Sequence, residues 1–167
     1  MRFIKSKLVW ALGLVAVVGF AAYGGTVFAT PQSGATTVLL APVGQYGDIN
    51  TNTKYGDWKG KVETHGESDM YINMVTVQPG GTLGWHMHPG PSFVTVKSGT
   101  ATFYEADDPT CTPHVIGAGG TIFEPAGDVH ILRNESKTDP LVNVVVQLIP
   151  HGQPRRISMP SPGNCPF

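Results

Sequence analysis

Punctuation by turn-forming residues constrains this chain more than any other feature. From Met70 onward, the runs "MYINMVTVQPGG", "FVTVKSG", "TATFYEADD", "PHVIGAGG", "TIFEPAG", "VHILRNE" and "LVNVVVQLIP" follow one another at short, regular spacing. Nearly every gap between them holds Gly, Pro or Asp, and no window of 11 or more residues sustains a period of 3.6. Segments this short suit strands, whose side chains alternate between two faces, better than helices. In the first run, Met70, Ile72 and Met74 share one face and Tyr71, Asn73 and Val75 the other, with an end expected at Pro79-Gly80. The 21 glycines and 14 prolines fit the same pattern. Several short strands separated by turns predict an all-β sandwich or barrel. A formal net charge of -1 gives no electrostatic basis for binding nucleic acid or an acidic membrane.

The remainder divides around this region. Residues 1–29 open with Arg2, Lys5 and Lys7, carry no charge from Leu8 to Ala29, and close on Val27-Phe28-Ala29. That layout predicts a secretory signal peptide cleaved after Ala29, and hence a secreted or extracytoplasmic protein. The alternative is an N-terminal membrane anchor, because the uncharged run is long enough to span; the membrane is then a partner only if cleavage does not occur. Residues 30–69 read as a polar lead with edge strands, 70–150 as the barrel, and 151–167 as a proline-rich tail unsuited to a central strand. The only cysteines are Cys111 and Cys165. An even count in an exported protein predicts a disulfide that ties the tail down. Paired metal-ligand spacing is absent from them.

The chemistry concentrates in "GWHMHPGPSF". His86 and His88 are two apart, so in a strand their Cβ atoms lie about 6.6 Å apart on one face, close enough for both rings to meet one ion. From Gly80 the chain reads five residues, His86, one residue, His88, three residues, Ser92, six residues and Gly99. From Gly119 it reads five residues, Pro125, one residue, Gly127, two residues, His130, three residues and Asn134. These two motifs resemble those of the cupin superfamily, G(X)5HXH(X)3,4E(X)6G and G(X)5PXG(X)2H(X)3N. The chain is similar in particular to small, secreted single-domain cupins of unassigned activity.

The resemblance implies a double-stranded β-helix, the cupin jelly-roll barrel, with a metal in its mouth. The metal histidines fall on His86, His88 and His130, and the hairpin glycines on Gly99 and Gly127. The second motif is complete. In the first, Ser92 stands where a glutamate ligand is usual, and its neighbour Phe93 cannot replace a carboxylate. The expectation is therefore three neutral imidazoles around a divalent ion (Fe, Zn, Ni, Cu or Mn), with no protein charge to balance it. Trp85, Ser92, Phe93 and Tyr104 are candidates for a substrate pocket, with Glu105 a weaker one. Glu124 and Asp128 are candidates to hold a histidine N–H from behind the metal. His65, His114 and His151 read as surface or turn residues, Asn134 as a turn closer, and Pro89-Gly90-Pro91 as a loop former. Two functions fit: a metal-dependent oxygenase or isomerase acting on a small molecule, or a non-catalytic small-molecule-binding or structural module. A homodimer paired edge to edge is compatible with either.

Overall fold

A computed structural model describes residues 28–167. The expected signal segment lies outside the described residues except for its last two positions. Among the described residues there is no helix. Thirteen strands run in the order β1 (Ser33–Leu39), β2 (Gly44–Tyr46), β3 (Asn50–Tyr55), β4 (Trp58–Glu63), β5 (Ser68–Thr82), β6 (His86–Met87), β7 (Ser92–Ser98), β8 (Thr100–Glu105), β9 (His114–Gly117), β10 (Thr121–Glu124), β11 (His130–Arg133), β12 (Leu141–Pro150) and β13 (Ile157–Ser158).

Eleven of these strands form one antiparallel sheet, ordered β10-β7-β12-β5-β11-β6-β13. Strands β1 and β2 add to β5, and β9 joins through β8, which pairs with β11. This nearly closed antiparallel barrel is a double-stranded β-helix. The remaining two strands, β3 and β4, pair only with each other. Strand β5 outruns its expected end at Pro79-Gly80 and reaches Thr82. There it meets Ser33 of β1 on one side and Arg133 of β11 on the other, so one long strand links the two halves of the barrel.

Alternation decides what faces inward. Along β12, Leu141, Asn143, Val145, Gln147 and Ile149 are buried while the intervening residues are partly open. Val75 and Val77 of β5, Val94 and Val96 of β7, Phe103 of β8 and Leu132 of β11 meet Leu141 and Val145 in the main core. An interior of this kind stabilises by burying apolar area, about 1.5–3 kcal/mol for each large side chain. Gly99 turns β7 into β8 at φ 79°, a left-handed conformation that suits glycine. A Cβ there would sit 2.5 Å from the Pro140 carbonyl oxygen.

The tail is an integral part of the fold. Thr30 donates to Met159, Ile157 and Ser158 pair with Met87 and His86, and Cys165 bonds Cys111 with Cα atoms 5.2 Å apart. A second apolar cluster forms under it from Trp85, Tyr104, Ile131 and Cys165. The disulfide is of the kind that oxidising, extracytoplasmic surroundings sustain.

Candidate metal centre

His86 lies on β6 and His130 directly opposite it on β11. His88 follows two residues after His86. All three are buried, and their available ring nitrogens lie within 4.8 Å of one another. Backbone carbonyls orient each ring. Nδ1 of His86 lies 2.8 Å from Gly84 O, that of His88 2.6 Å from Arg155 O, and that of His130 3.0 Å from Asp128 O. A carbonyl oxygen only accepts, so each Nδ1 carries the proton and each Nε2 keeps its lone pair for an ion. The Gln147 amide nitrogen stands 2.9 Å from the same His88 Nδ1. With that nitrogen already donating to Arg155 O, the amide serves it better turned to present its oxygen. Phe103 stacks on the His130 ring with centroids 5.1 Å apart and fixes its plane.

Burial also keeps two of the rings neutral. Desolvation pulls the His86 pKa well below its ordinary value, and the neighbouring His130, His88 and Arg156 charges push the same way. Desolvation likewise lowers that of His130, against the opposing pull of Glu124. A neutral imidazole is the form that binds a metal. The Nε2 of His130 is buried without a hydrogen-bond partner, a cost that ligation would remove.

A carboxylate from the adjacent strand stands beside two of the three histidines. Glu124 pairs directly across from Ser92 in the β10–β7 ladder, while Gln147 pairs with Ser92 on its other side. Side chains opposite one another in a sheet share a face, so Gln147, Ser92 and Glu124 form a row pointing inward. Ser92 is 0% exposed, and its Oγ lies 3.0 Å from the Gln147 side-chain amide. Glu124 extends past it, placing Oε2 3.2 Å from His88 Nε2 and Oε1 3.4 Å from His130 Nε2. Two ligands each about 2 Å from one ion at tetrahedral to octahedral angles lie about 2.9–3.4 Å apart, so these separations suit ligands of a shared ion. Glu124 was a candidate to hold a histidine N–H from behind the metal. It faces the metal-side nitrogens instead, and backbone carbonyls take the outer role, including that of Asp128 rather than its carboxylate.

Two cavities meet at this cluster. An outer pocket of about 370 Å³, lined by Glu105, Asp107, Phe123, Glu124 and His130, opens toward solvent. An inner cavity of about 40 Å³ contains His86, His88, Glu124, Asn143, Gln147, Arg155 and Arg156 on its walls. The candidate pocket residues are distributed differently from the expectation. Ser92 belongs to the inward row. Phe93, its neighbour, points to the opposite side of β7, is 56% exposed and packs on Phe123. Trp85 and Tyr104 are buried in the second apolar cluster, beneath the tail. The Tyr104 hydroxyl donates to Glu135 at 2.8 Å, and burial together with that bond pushes its pKa up to about 12. The structure brings none of these three to the histidine nitrogens. Glu105 lines the outer pocket. The side chains of His65, His114 and His151 are exposed, and His151 pairs with Asp69 at 2.9 Å. Asn134 closes a turn, its amide donating to Val77 O and Asp139 O.

Sequence reasoning missed Gln147, Asn143, Arg155 and Arg156. The first two had a signal: they are the polar residues on the inward face of an otherwise apolar alternating strand. The arginines had none, because nothing in a proline-rich tail says that it returns to the barrel mouth.

A small antiparallel barrel with three inward histidines at its mouth defines a class of jelly-roll proteins with a site that could hold a metal ion. The sequence profile of the Cupin domain family matches residues 73–147, and the barrel belongs to the cupin superfamily. Similar solved structures include a conserved protein of unknown function from Streptococcus pyogenes, 26% identical over 50% of this chain and 68% of that one, with a TM-score of 0.43. A cupin-like protein from Thermotoga maritima is 23% identical over 55% and 65%, with a TM-score of 0.48. The DMSP lyase DddQ from Ruegeria pomeroyi is 20% identical over 54% of this chain, which spans 43% of the lyase, with a TM-score of 0.46. No curated protein matches the sequence significantly.

Proposed function

We propose that this cupin is an exported divalent-metal protein acting on a small molecule, with His86, His88, His130 and Glu124 as the ligand set. The observation that carries the reading is the commitment of all three Nδ1 atoms to carbonyls, which leaves three Nε2 lone pairs within reach of one ion, with a carboxylate beside two of them. Three imidazoles and one carboxylate accept Fe, Zn, Ni, Cu or Mn without selecting among them. When bound, the ion supplies Lewis-acid polarisation of a coordinated oxygen or, for a redox-active metal, electron transfer. The chain's own contribution is to keep the His86 and His130 imidazoles neutral, balance part of the ion's charge through Glu124, and offer an outer pocket within the usual size range for small ligands. The reaction class that fits is metal-assisted oxygenation or isomerisation. Export is supported by the disulfide and by the signal-like first 29 residues.

Elemental analysis of untagged protein, as purified and after reconstitution, tests this reading. About one ion per chain is expected, and His86→Ala or His130→Ala should each abolish it. Metal far below one per chain that reconstitution does not raise, or full occupancy in both variants, would overturn it.

A further inference from the structure

The inner cavity carries more positive charge than the protein balances. The tail enters the barrel mouth at Arg155, whose backbone carbonyl holds His88 Nδ1, and continues into β13. Both Arg155 and Arg156 line the inner cavity with the metal-site residues. Arg156 donates from Nη1 to Ser158 Oγ at 2.6 Å and from Nη2 to the Leu83 carbonyl, and its Nε is buried without an acceptor. The Arg155 guanidinium makes no hydrogen bond to any described residue. Neither arginine has a carboxylate partner among the described residues, and residues 1–27 contain no Asp or Glu. The only carboxylate on the cavity wall is Glu124, already turned toward two histidines.

Guanidinium stays protonated in proteins, so part-burial does not remove the charge. Its cost shows in the direction of both pKa values, which desolvation lowers. Two partly buried cations facing one carboxylate favour an anion, and a divalent ion at the histidines would strengthen that preference. A second observation points to the same place. Asn143 lines this cavity, is 1% exposed, and its Oδ1 has no hydrogen-bond partner; a buried acceptor left open in this way calls for a donor. The cavity, about 40 Å³, has room for about three water-sized groups. That limits a ligand here to a carboxylate and its nearest substituent.

We propose that the inner cavity is a subsite for a short-chain hydroxy acid, with Arg155, supported by Arg156, binding the carboxylate and Asn143 accepting from the hydroxyl. The subsite faces the same cluster as the metal, so this assignment deepens the metal reading and rests on it. It makes the tail a recognition element: β13 sets the position of the arginines, and the disulfide anchors the chain beyond them.

The test uses full-length protein loaded with Co(II), whose visible absorption reports both occupancy and ligand exchange, titrated with glycolate, with uncharged glycolamide and with acetate. Glycolate should perturb the cobalt band and bind at least tenfold more tightly than glycolamide or acetate. Arg155→Met should remove at least tenfold of that affinity while retaining the cobalt band, because the carbonyl that holds His88 is main chain. Arg155→Lys should retain part of the affinity, and Asn143→Ala should erase the difference between glycolate and acetate. Equal binding of glycolate and glycolamide, no glycolate binding, or an Arg155→Met variant that binds like the parent would overturn the assignment. If cobalt itself does not bind, the metal reading fails separately, and calorimetry of the metal-free protein with the same three compounds decides the subsite.

Discussion

Glu124→Gln isolates the charge that the structure places at the metal-side nitrogens. The substitution keeps the length and shape of a buried side chain whose oxygens stand 3.2 and 3.4 Å from two Nε2 atoms. In the metal-free protein the new amide can donate to one of those lone pairs, so the fold should lose little, within about 1 kcal/mol. The loaded protein should behave differently. Removing a carboxylate that merely supports a ligand from behind costs metal affinity about 10–100-fold. With Glu124 in the proposed ligand set, the loss should reach at least about a hundredfold, equivalent to about 2.7 kcal/mol. Competition against a chelator of known affinity measures this with Zn(II) or Co(II), and thermal unfolding of the metal-free protein provides the control. A loss below about tenfold, with the metal-free melting temperature unchanged, would refute the reasoning. Glu124 would then be an outer residue, and three histidines alone would hold the ion.

Other perturbations probe the supports of the site. Ser92→Glu should not simply tighten metal binding: it inserts a second carboxylate directly opposite Glu124 in a fully buried position, so the metal-free protein should melt lower, with zinc restoring part of the loss. Gly90→Ala should cost at least about 1–3 kcal/mol in urea unfolding and weaken metal binding, because its Cβ would lie 2.0 Å from the Leu148 carbonyl oxygen and displace the loop after His88. Replacing Cys111 and Cys165 together by alanine removes a link between residues 54 apart, which the chain-entropy treatment puts at about 4 kcal/mol; an unchanged urea midpoint would contradict it. For the Asp69–His151 pair, the hydrogen bond from His151, with the Gly152 N–H, lowers the Asp69 pKa, and Asp69 in turn raises that of His151. Its stabilisation is therefore full between the ordinary aspartate and histidine pKa values, fades as pH falls through the lowered Asp69 value, and fades as pH rises through the raised His151 value. His151→Ala should accordingly lower the melting temperature most near pH 5–6 and least near pH 9, and a pH-independent difference would argue against the pair.

The barrel was legible because its signals are local. A turn residue acts within two or three positions, and strand alternation repeats every two, so "LVNVVVQLIP" and "FVTVKSG" declare themselves without reference to anything distant. The His86–His88 pair was legible for the same reason, and His130 through a motif of fixed offsets. The roles of Trp85, Phe93 and Tyr104 were less accessible. Trp85 and Phe93 flank the histidine pair and Tyr104 ends the strand after Gly99, which suggested the pocket, yet period-2 geometry sends Phe93 to the face opposite Ser92, and the tail covers Trp85 and Tyr104.

What the chain determined by itself was thus the all-β class, the three imidazoles and the absence of the usual glutamate at position 92. What only the tertiary structure decided was which charged groups stand beside the three imidazoles. Antiparallel register sets Glu124 across from Ser92, and the return of the tail brings Arg155 and Arg156 to the inner cavity. Register and chain return bring together residues tens of positions apart, and a local pattern carries no record of which of them will face one another.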